Sequence, residues 1–405
     1  AAAIAAAAAV AVAAEDGASR DSAGDDAADC LSATSTSASD ELPPGAGPFR
    51  SRSDPAQTST VEDEAAIVFP EDEVEVWEPE RFRLVRKVQD AKRSHGEVLL
   101  MKDERAGGAL VAVKRMPTSF LCASLDDFMR EHPWESERPW ADMGVSSALR
   151  DLGAASFPYA CRLQGVYRDG EHVYAVSDYA NGGDMFGFCA DQSLPPPGPE
   201  REAVVLPLAR QIVDGIRRLH DLSIIHGDVS LENLLLSKRE PSPNWAVQII
   251  DFGRATRSRS RTCCVAKPSY RAPEMPSSSL DSDACKESYD GFLADAFAVG
   301  VVLYTMLLRD YPWLSTEPGT CKSFDYYRKH GFRALLEKRK IFGSSARASA
   351  CLSEGATSLL EGLLAANPSE RLTLGESVWG DRPCRPSAWQ SCWLGSAPGA
   401  TSSSA

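Results

Sequence analysis

A chain of 405 residues, 43% of them hydrophobic, has the material for one large domain or two ordinary ones and for a sizeable core. Its net charge of −14 is unevenly spread: residues 1–80 hold 18 acidic and 3 basic side chains, whereas residues 81–405 hold 39 and 40. The acidity therefore describes a tail, and the balance of the rest excludes a strongly basic nucleic-acid footprint.

The opening run AAAIAAAAAVAVAA is apolar but too short to span a bilayer, and it lacks an initiator Met and a positive flank. It reads as low-complexity filler, with a truncated signal or anchor as the alternative, and no later run is expected to be long enough to span a bilayer. Residues 1–60 are rich in Ala, Ser, Asp, Gly and Pro and are expected to be disordered. Residues 61–80 hold nine acids around Phe69 and Trp77. They read as a solvated linker, or else as a segment that packs its aromatics on the domain or recruits a basic partner. The disordered acidic region is accordingly set at 1–80.

From residue 81 the pattern changes. RFRLVRKV, GEVLLMK, ALVAVKRM and HVYAVSDYA carry β-branched and alternating apolar residues and predict strands. VVLPLARQIVDGIRRLHDL has apolar residues at helical spacing and predicts an amphipathic helix. LADAFAVGVVLYTMLLRD predicts a core helix, and the stretch from Gly355 predicts another that ends near Asn367-Pro368. Strands first and helices after predict an α+β fold of two lobes with a cleft between them. The domain is set at 81–385 and a disordered tail at 386–405. The eleven cysteines are scattered without a CxxC pair, which predicts neither a zinc site nor a disulfide framework and favours a reducing compartment.

The motifs along this stretch carry chemistry. VAVK places Lys114 on a strand, IIHGDVSLENLLL spans 224–236, DFG occupies 251–253 and RAPE ends at Glu274. Together, and in this order, they resemble a eukaryotic protein kinase. The resemblance implies a bilobal fold that binds ATP and Mg2+. It makes Lys114 the grip on the α- and β-phosphates, Asp228 the base that takes the substrate proton, and Asn233 and Asp251 the metal ligands. It places Gly96, Val98, Ala112, Ser177, Asp178, Ala180, Asp184 and Leu235 around the nucleotide, with the small Ser177 at the gatekeeper position. Glu274 and Arg371 match the family's buried ion pair, and Asp295 matches the brace of the catalytic loop.

Several positions depart from the family pattern. The glycine-rich loop positions are Ala91, Arg93 and Gly96, so one glycine of three is kept, and Lys92 and Arg93 are candidates to supply charge instead. The acid that pairs with Lys114 falls near Ala148, which is not acidic; Asp142 is taken as the partner and Glu137 as the runner-up. Gly227 replaces the arginine that meets an activation-loop phosphate, which suggests activity less dependent on such a switch. Ser258, Ser260 and Thr262 are candidate autophosphorylation sites beside Arg257, Arg259 and Arg261, and Cys263-Cys264 is a weak redox candidate. Ser230 replaces the lysine that contacts the transferred phosphate, and Lys267 is expected to take its place.

The leading expectation is an ATP-dependent protein serine/threonine kinase acting on a protein hydroxyl. Glu232, at a position where tyrosine-specific kinases keep Arg, disfavours tyrosine; Asp184 and Glu232 suggest basic-context sites. A pseudokinase is the alternative, and a small-molecule phosphotransferase fits RAPE poorly. A protein substrate, no nucleic acid, no membrane segment and a cytoplasmic or nuclear location complete the expectation; it names no oligomeric state.

Overall fold

The alternating residues after position 81 do form a sheet. The computed structural model describes residues 67–238, 244–262, 266–276, 288–379 and 385–395. Its N-terminal lobe holds β1 (Glu75–Val76), β2 (Phe82–Ala91), β3 (Gly96–Asp103), β4 (Ala109–Pro117), α1 (Thr118–Leu121), α2 (Leu125–Glu131), α3 (Pro139–Leu152), β5 (Leu163–Arg168) and β6 (His172–Asp178). The six strands run in the order β1-β5-β6-β4-β3-β2. All neighbours are antiparallel except β1 with β5. β4 sits inside the sheet, paired with β3 and β6, and buries Val111 and Val113 on one face while Ala112 and Lys114 take the other.

α3 starts with Pro139 at its first turn, where a missing N–H costs nothing. It buries Trp140 and Met143 against Phe120, Phe128 and Leu163, and the Trp140 indole donates to the Leu121 carbonyl at 2.9 Å. Each such side chain contributes about 1.5–3 kcal/mol on burial, so the helix is anchored against the sheet and its first turn faces the cleft at a fixed height.

The boundary expected at residue 81 is too late. Residues 67–80 pack on the N-terminal lobe: Phe69 is buried among Met116, Phe120 and Trp140, and its N–H donates to the Trp140 carbonyl. β1 adds a parallel edge strand, and Trp77 stacks on Tyr174 at 3.9 Å and on Phe82 at 4.7 Å between ring centres. Phe69 is what this strap buries, with Val74 and Trp77 packed partly on the lobe, while Val76 and most of its acids stay exposed. The tail boundary at 386 is likewise too early. Ala388 and Leu394 are fully buried, and the Trp393 indole donates to Glu202 at 2.9 Å.

The C-terminal lobe follows with α4 (Met185–Ala190), α5 (Pro199–Asp221), β7 (Leu234–Ser237), β8 (Ala246–Ile249), β9 (Ser260–Arg261), β10 (Tyr289–Asp290), α6 (Gly291–Leu308), α7 (Lys322–His330), α8 (Phe332–Lys338) and α9 (Glu354–Leu363). α6 is 18 residues with a mean hydropathy of 1.9, long and apolar enough by length and composition to cross a membrane, contrary to the expectation that no run reaches that length. It is 94% buried inside the lobe, and α5 and α9 pack on it, which accounts for an apolar surface on every side. α9 ends at Leu363, four residues earlier than expected from Asn367-Pro368; Leu364 to Pro368 instead supply carbonyls to Arg371, Arg385 and Tyr327. The β7–β8 hairpin carries the segments before and after it, 224–233 and 250–254, to the floor of the cleft.

Candidate active site

Lys114 leaves β4 into the cleft, and its ammonium meets two acids. Nζ is 3.0 Å from Asp142 Oδ2 and 3.5 Å from Glu137 Oε1. Burial works against that charge, but Asp142, Asp251 and Glu137 outweigh it and raise the lysine above its ordinary value. Burial, with Asp251 and Asp142 nearby, pushes the Glu137 carboxyl up, although Lys114 opposes it. Asp142 belongs to the first turn of α3, and its Oδ1 accepts the Phe252 N–H at 2.9 Å. One carboxylate therefore ties the strand lysine to the 251–253 segment. The Arg138 N–H adds a second tie, to the Gly253 carbonyl at 2.8 Å. Asp251 itself is held at φ 66°, a strained value for a residue with a side chain.

The loop at 224–233 is held from below by α6. Asp295 accepts the N–H groups of His226 at 2.8 Å and Gly227 at 3.0 Å, and it also meets His220 Nε2 at 3.1 Å. His220 is sandwiched between Asp295 and Glu376, at 2.7 Å from the latter. Burial disfavours its charge, yet the two carboxylates prevail and raise the imidazole to about 9. Gly227 adopts φ +73°, and a Cβ there would come within 2.9 Å of both the Arg254 carbonyl and Arg261 Nη1. The glycine is thus suited to a left-handed turn under the activation segment, in space Arg261 occupies.

Asp228 follows at 6% exposure, surrounded by donors. Asn233 Nδ2 donates to its carbonyl at 2.8 Å and to its Oδ2 at 3.3 Å. Arg93 Nη1 reaches the same Oδ2 at 3.0 Å from the turn between β2 and β3, and Arg254 Nη1 lies 3.2 Å from Oδ1. Neither arginine was singled out from the sequence as a partner of Asp228. Arg93 pays a burial cost that Asp228, Glu137 and Asp251 outweigh, so its charge is held more firmly than usual.

Lys267 lies where the departure at Ser230 left a gap. Its Nζ is 2.8 Å from Ser230 Oγ and 3.0 Å from Glu232 Oε2. Burial would raise the Glu232 carboxyl, and Lys267 pulls it below its ordinary value instead. The ion pair makes Glu232 a partner of Lys267 before it can meet anything else. Further along, Arg371 is fully buried and grips Glu274 with both nitrogens, at 2.5 and 2.8 Å, while also donating to the Leu293 and Ala365 carbonyls. In the activation segment, Arg259 pairs with Asp290 and lies over the Phe292 and Trp379 rings. Ser260 and Arg261 form β9 against β10. Cys263 and Cys264 lie outside the described residues.

The residues assigned to the nucleotide line one region. Val98, Lys114 and Ala175 stand in register across β3, β4 and β6, as do Leu100, Ala112 and Ser177. The Asp178 N–H is committed to the Arg162 carbonyl at 3.0 Å, so its own carbonyl is what it can offer to a ligand. Ala180 is buried two residues on, and Asp184 is bridged to Leu235. Asp184 Oδ1 also caps α4 through the Gly187 N–H at 2.7 Å, a structural duty the sequence did not reveal. Gly96 has a different physical reason from the one expected. It pairs with Ala91, and a Cβ would lie 2.0 Å from the Arg115 carbonyl, so strand packing demands the glycine. The rest of the loop is a tight turn, Lys92–Ser94, that offers side-chain charge in place of a glycine cradle.

The donor set fits a hard divalent cation. Asp251 supplies a carboxylate, and Asn233 spends its Nδ2 on Asp228, which leaves Oδ1 as its ligand atom. Lys114 supplies positive charge that a triphosphate needs beside it, whereas the Arg93 guanidinium is committed to Asp228.

Comparison with known proteins matches this arrangement. Residues 135–379 fit the protein kinase domain family, and the chain belongs to that family. The match begins after β4, so Lys114 and the strands before it stand on their geometry. The chain is 31% identical over 238 residues to serine/threonine-protein kinase SRK2J of Arabidopsis thaliana, covering 58% of this chain and 62% of that protein. It is 33% identical over 240 residues to serine/threonine-protein kinase PLK4 of Drosophila grimshawi, covering 57% and 27%. It is 31% identical to serine/threonine-protein kinase SAPK3 of Oryza sativa subsp. indica, covering 58% and 64%. The chain thus spans less than two thirds of each of these relatives.

Proposed function

We propose that this chain is a protein serine/threonine kinase that transfers the γ-phosphoryl group of ATP, with Mg2+, to a protein hydroxyl. The observation that carries the reading is the Asp142 carboxylate, which ties Lys114 to the segment that holds Asp251, opposite an Asp228 already hydrogen-bonded to Asn233. Bound ATP would supply the phosphoryl group and Mg2+ would neutralise charge on it. The chain's own residues do the positioning. Lys114 holds the α- and β-phosphates, Asn233 and Asp251 hold the metal, and Asp228 orients the attacking hydroxyl and takes its proton. Lys267 reaches toward the γ-phosphate in place of the lysine that Ser230 replaces. Gly227 leaves the loop without an arginine for an activation-segment phosphate, which supports activity without that switch.

Serine and threonine are favoured over tyrosine by Glu232 and by the similarity to serine/threonine-protein kinases. Because Glu232 is paired with Lys267, a preference for basic-context sites rests mainly on Asp184. One feature favours a pseudokinase instead: Arg93 occupies Asp228. Incubation with ATP, Mg2+ and a generic basic protein, followed by acid hydrolysis, separates the readings. Phosphoserine and phosphothreonine are expected; phosphotyrosine alone, or no incorporation, contradicts the proposal.

A further inference from the structure

We infer that Cys122, Glu131 and His132 form a site for a divalent transition-metal ion of zinc's class, placed behind the helix that pairs with Lys114. The three residues each offer one ligand atom, and those atoms lie within 4.8 Å of one another. Tetrahedral zinc with bonds of about 2.0–2.3 Å puts its ligand atoms roughly 3.3–3.8 Å apart, so the three side chains would have to draw together only modestly to hold it. A thiol, an imidazole and a carboxylate suit zinc and not magnesium or calcium, which take oxygen. Three protein ligands leave a fourth position for water.

The surroundings are arranged for such a use. Cys122 ends α1 at φ 59° and ψ −171°, strained for a residue with a Cβ, and its thiol lies 3.5 Å from Glu131 Oε2. His132 ends α2, with its ring 5.1 Å from both Phe120 and Phe128, which fix the imidazole plane. The His132 Nε2 is buried without a hydrogen-bond partner, which is unfavourable for a polar atom unless something meets it there. Sequence patterns missed the site because they look for paired cysteines, and here Cys122 stands nine residues before an adjacent Glu131-His132.

An ion here would clamp two ends. Cys122 closes the segment that follows the Lys114 strand, and Glu131-His132 opens the stretch that leads to Glu137 and the start of α3. The clamp would set the distance between Lys114 and the acids it meets.

Binding of Zn2+ to the purified full chain, in competition with a chromophoric chelator, tests the inference apart from any phosphotransfer. Cys122→Ser and Glu131→Gln are compared with wild type and with Cys392→Ser, an exposed thiol outside the cluster. Wild type and Cys392→Ser should hold one Zn2+ that both cluster variants bind at least about tenfold more weakly. Co2+ should give wild type a thiolate-to-cobalt absorption that Cys122→Ser lacks. Glu131 is exposed, so its substitution keeps the fold and the test decisive should Cys122→Ser fail to fold. Equal stoichiometry and affinity in wild type and Glu131→Gln, or no cobalt–thiolate band in wild type, would overturn it.

Discussion

Arg93, at a position where the kinase loop pattern has glycine, places its Nη1 3.0 Å from Oδ2 of Asp228 across the cleft. The two sit 135 residues apart in sequence and belong to different lobes. The contact holds the lobes together and covers the oxygen that a substrate hydroxyl must reach. Arg93 is 43% exposed, so solvent screens the pair to about 0.2–1 kcal/mol. Arg93→Ala should therefore raise kcat at saturating ATP by about two- to fivefold. Steady-state kinetics check this; a lower kcat would show that Arg93 serves the phosphates instead.

Lys267 should matter for turnover more than for binding. Its removal takes a cation from the phosphate side of the transition state, a loss of roughly 10²–10³ in kcat for one such donor. Lys267→Met should lower kcat in that range with KM for ATP little changed. Ser230→Lys in the Lys267→Met background should restore most of the loss, because it puts an ammonium on the loop itself, at the position that Lys267 now reaches from outside. Unchanged turnover in Lys267→Met would place the side chain outside the reaction.

His220 makes stability depend on pH. Its folded value of about 9 lies above the ordinary 6.5, so the folded state binds the proton more tightly. The contribution is full below pH 6.5 and fades as pH rises through 9, on the order of 3 kcal/mol in all. His220→Gln should be clearly less stable than wild type at pH 6.5, and the gap should shrink by pH 9.5. Thermal melts of both proteins across that range measure it; a constant gap would mean that His220 is neutral in the fold.

The Glu274–Arg371 pair should be a stability residue pair without a kinetic signature of its own. Arg371→Met leaves the Glu274 carboxylate without its partner and should cost roughly 3–5 kcal/mol. Urea denaturation reads the loss directly, and a change below about 1 kcal/mol would contradict the packing described.

The groups legible in the sequence are those whose spacing is local. Asp228 and Asn233 share one short loop, Asp251 follows its strand by one turn, and Lys114 alternates with core residues on β4, so motif and position coincide. Lys267 was legible because Ser230 left a gap that a nearby cation was free to fill. The sequence ranks Asp142 ahead of Glu137 on its place near the expected turn alone, and both acids in fact reach Lys114, Asp142 at 3.0 Å and Glu137 at 3.5 Å. The strap at 67–80 was read mainly as linker because a two-residue parallel strand has no periodicity and its partner lies some 90 residues away. Arg93 on Asp228 was illegible because that contact depends on how far one lobe closes over the other, and Arg254 on Asp228 because it depends on how the 250–254 segment turns beside the 224–233 loop. The tail at 385–395 was hidden by its polar composition, with Trp389, Trp393 and Leu394 as the few anchors.

The central claim is that Asp228 takes the proton of a protein hydroxyl as phosphate is transferred. Its most direct measurement is the initial rate of phosphate incorporation from labelled ATP into a basic protein, wild type against Asp228→Asn. A general base of this kind contributes about 10²–10⁴ in rate. The amide should leave ATP binding in place and lower the rate by at least a hundredfold on that scale. Equal rates in the two proteins would contradict the account and make the chain a kinase fold without the reaction.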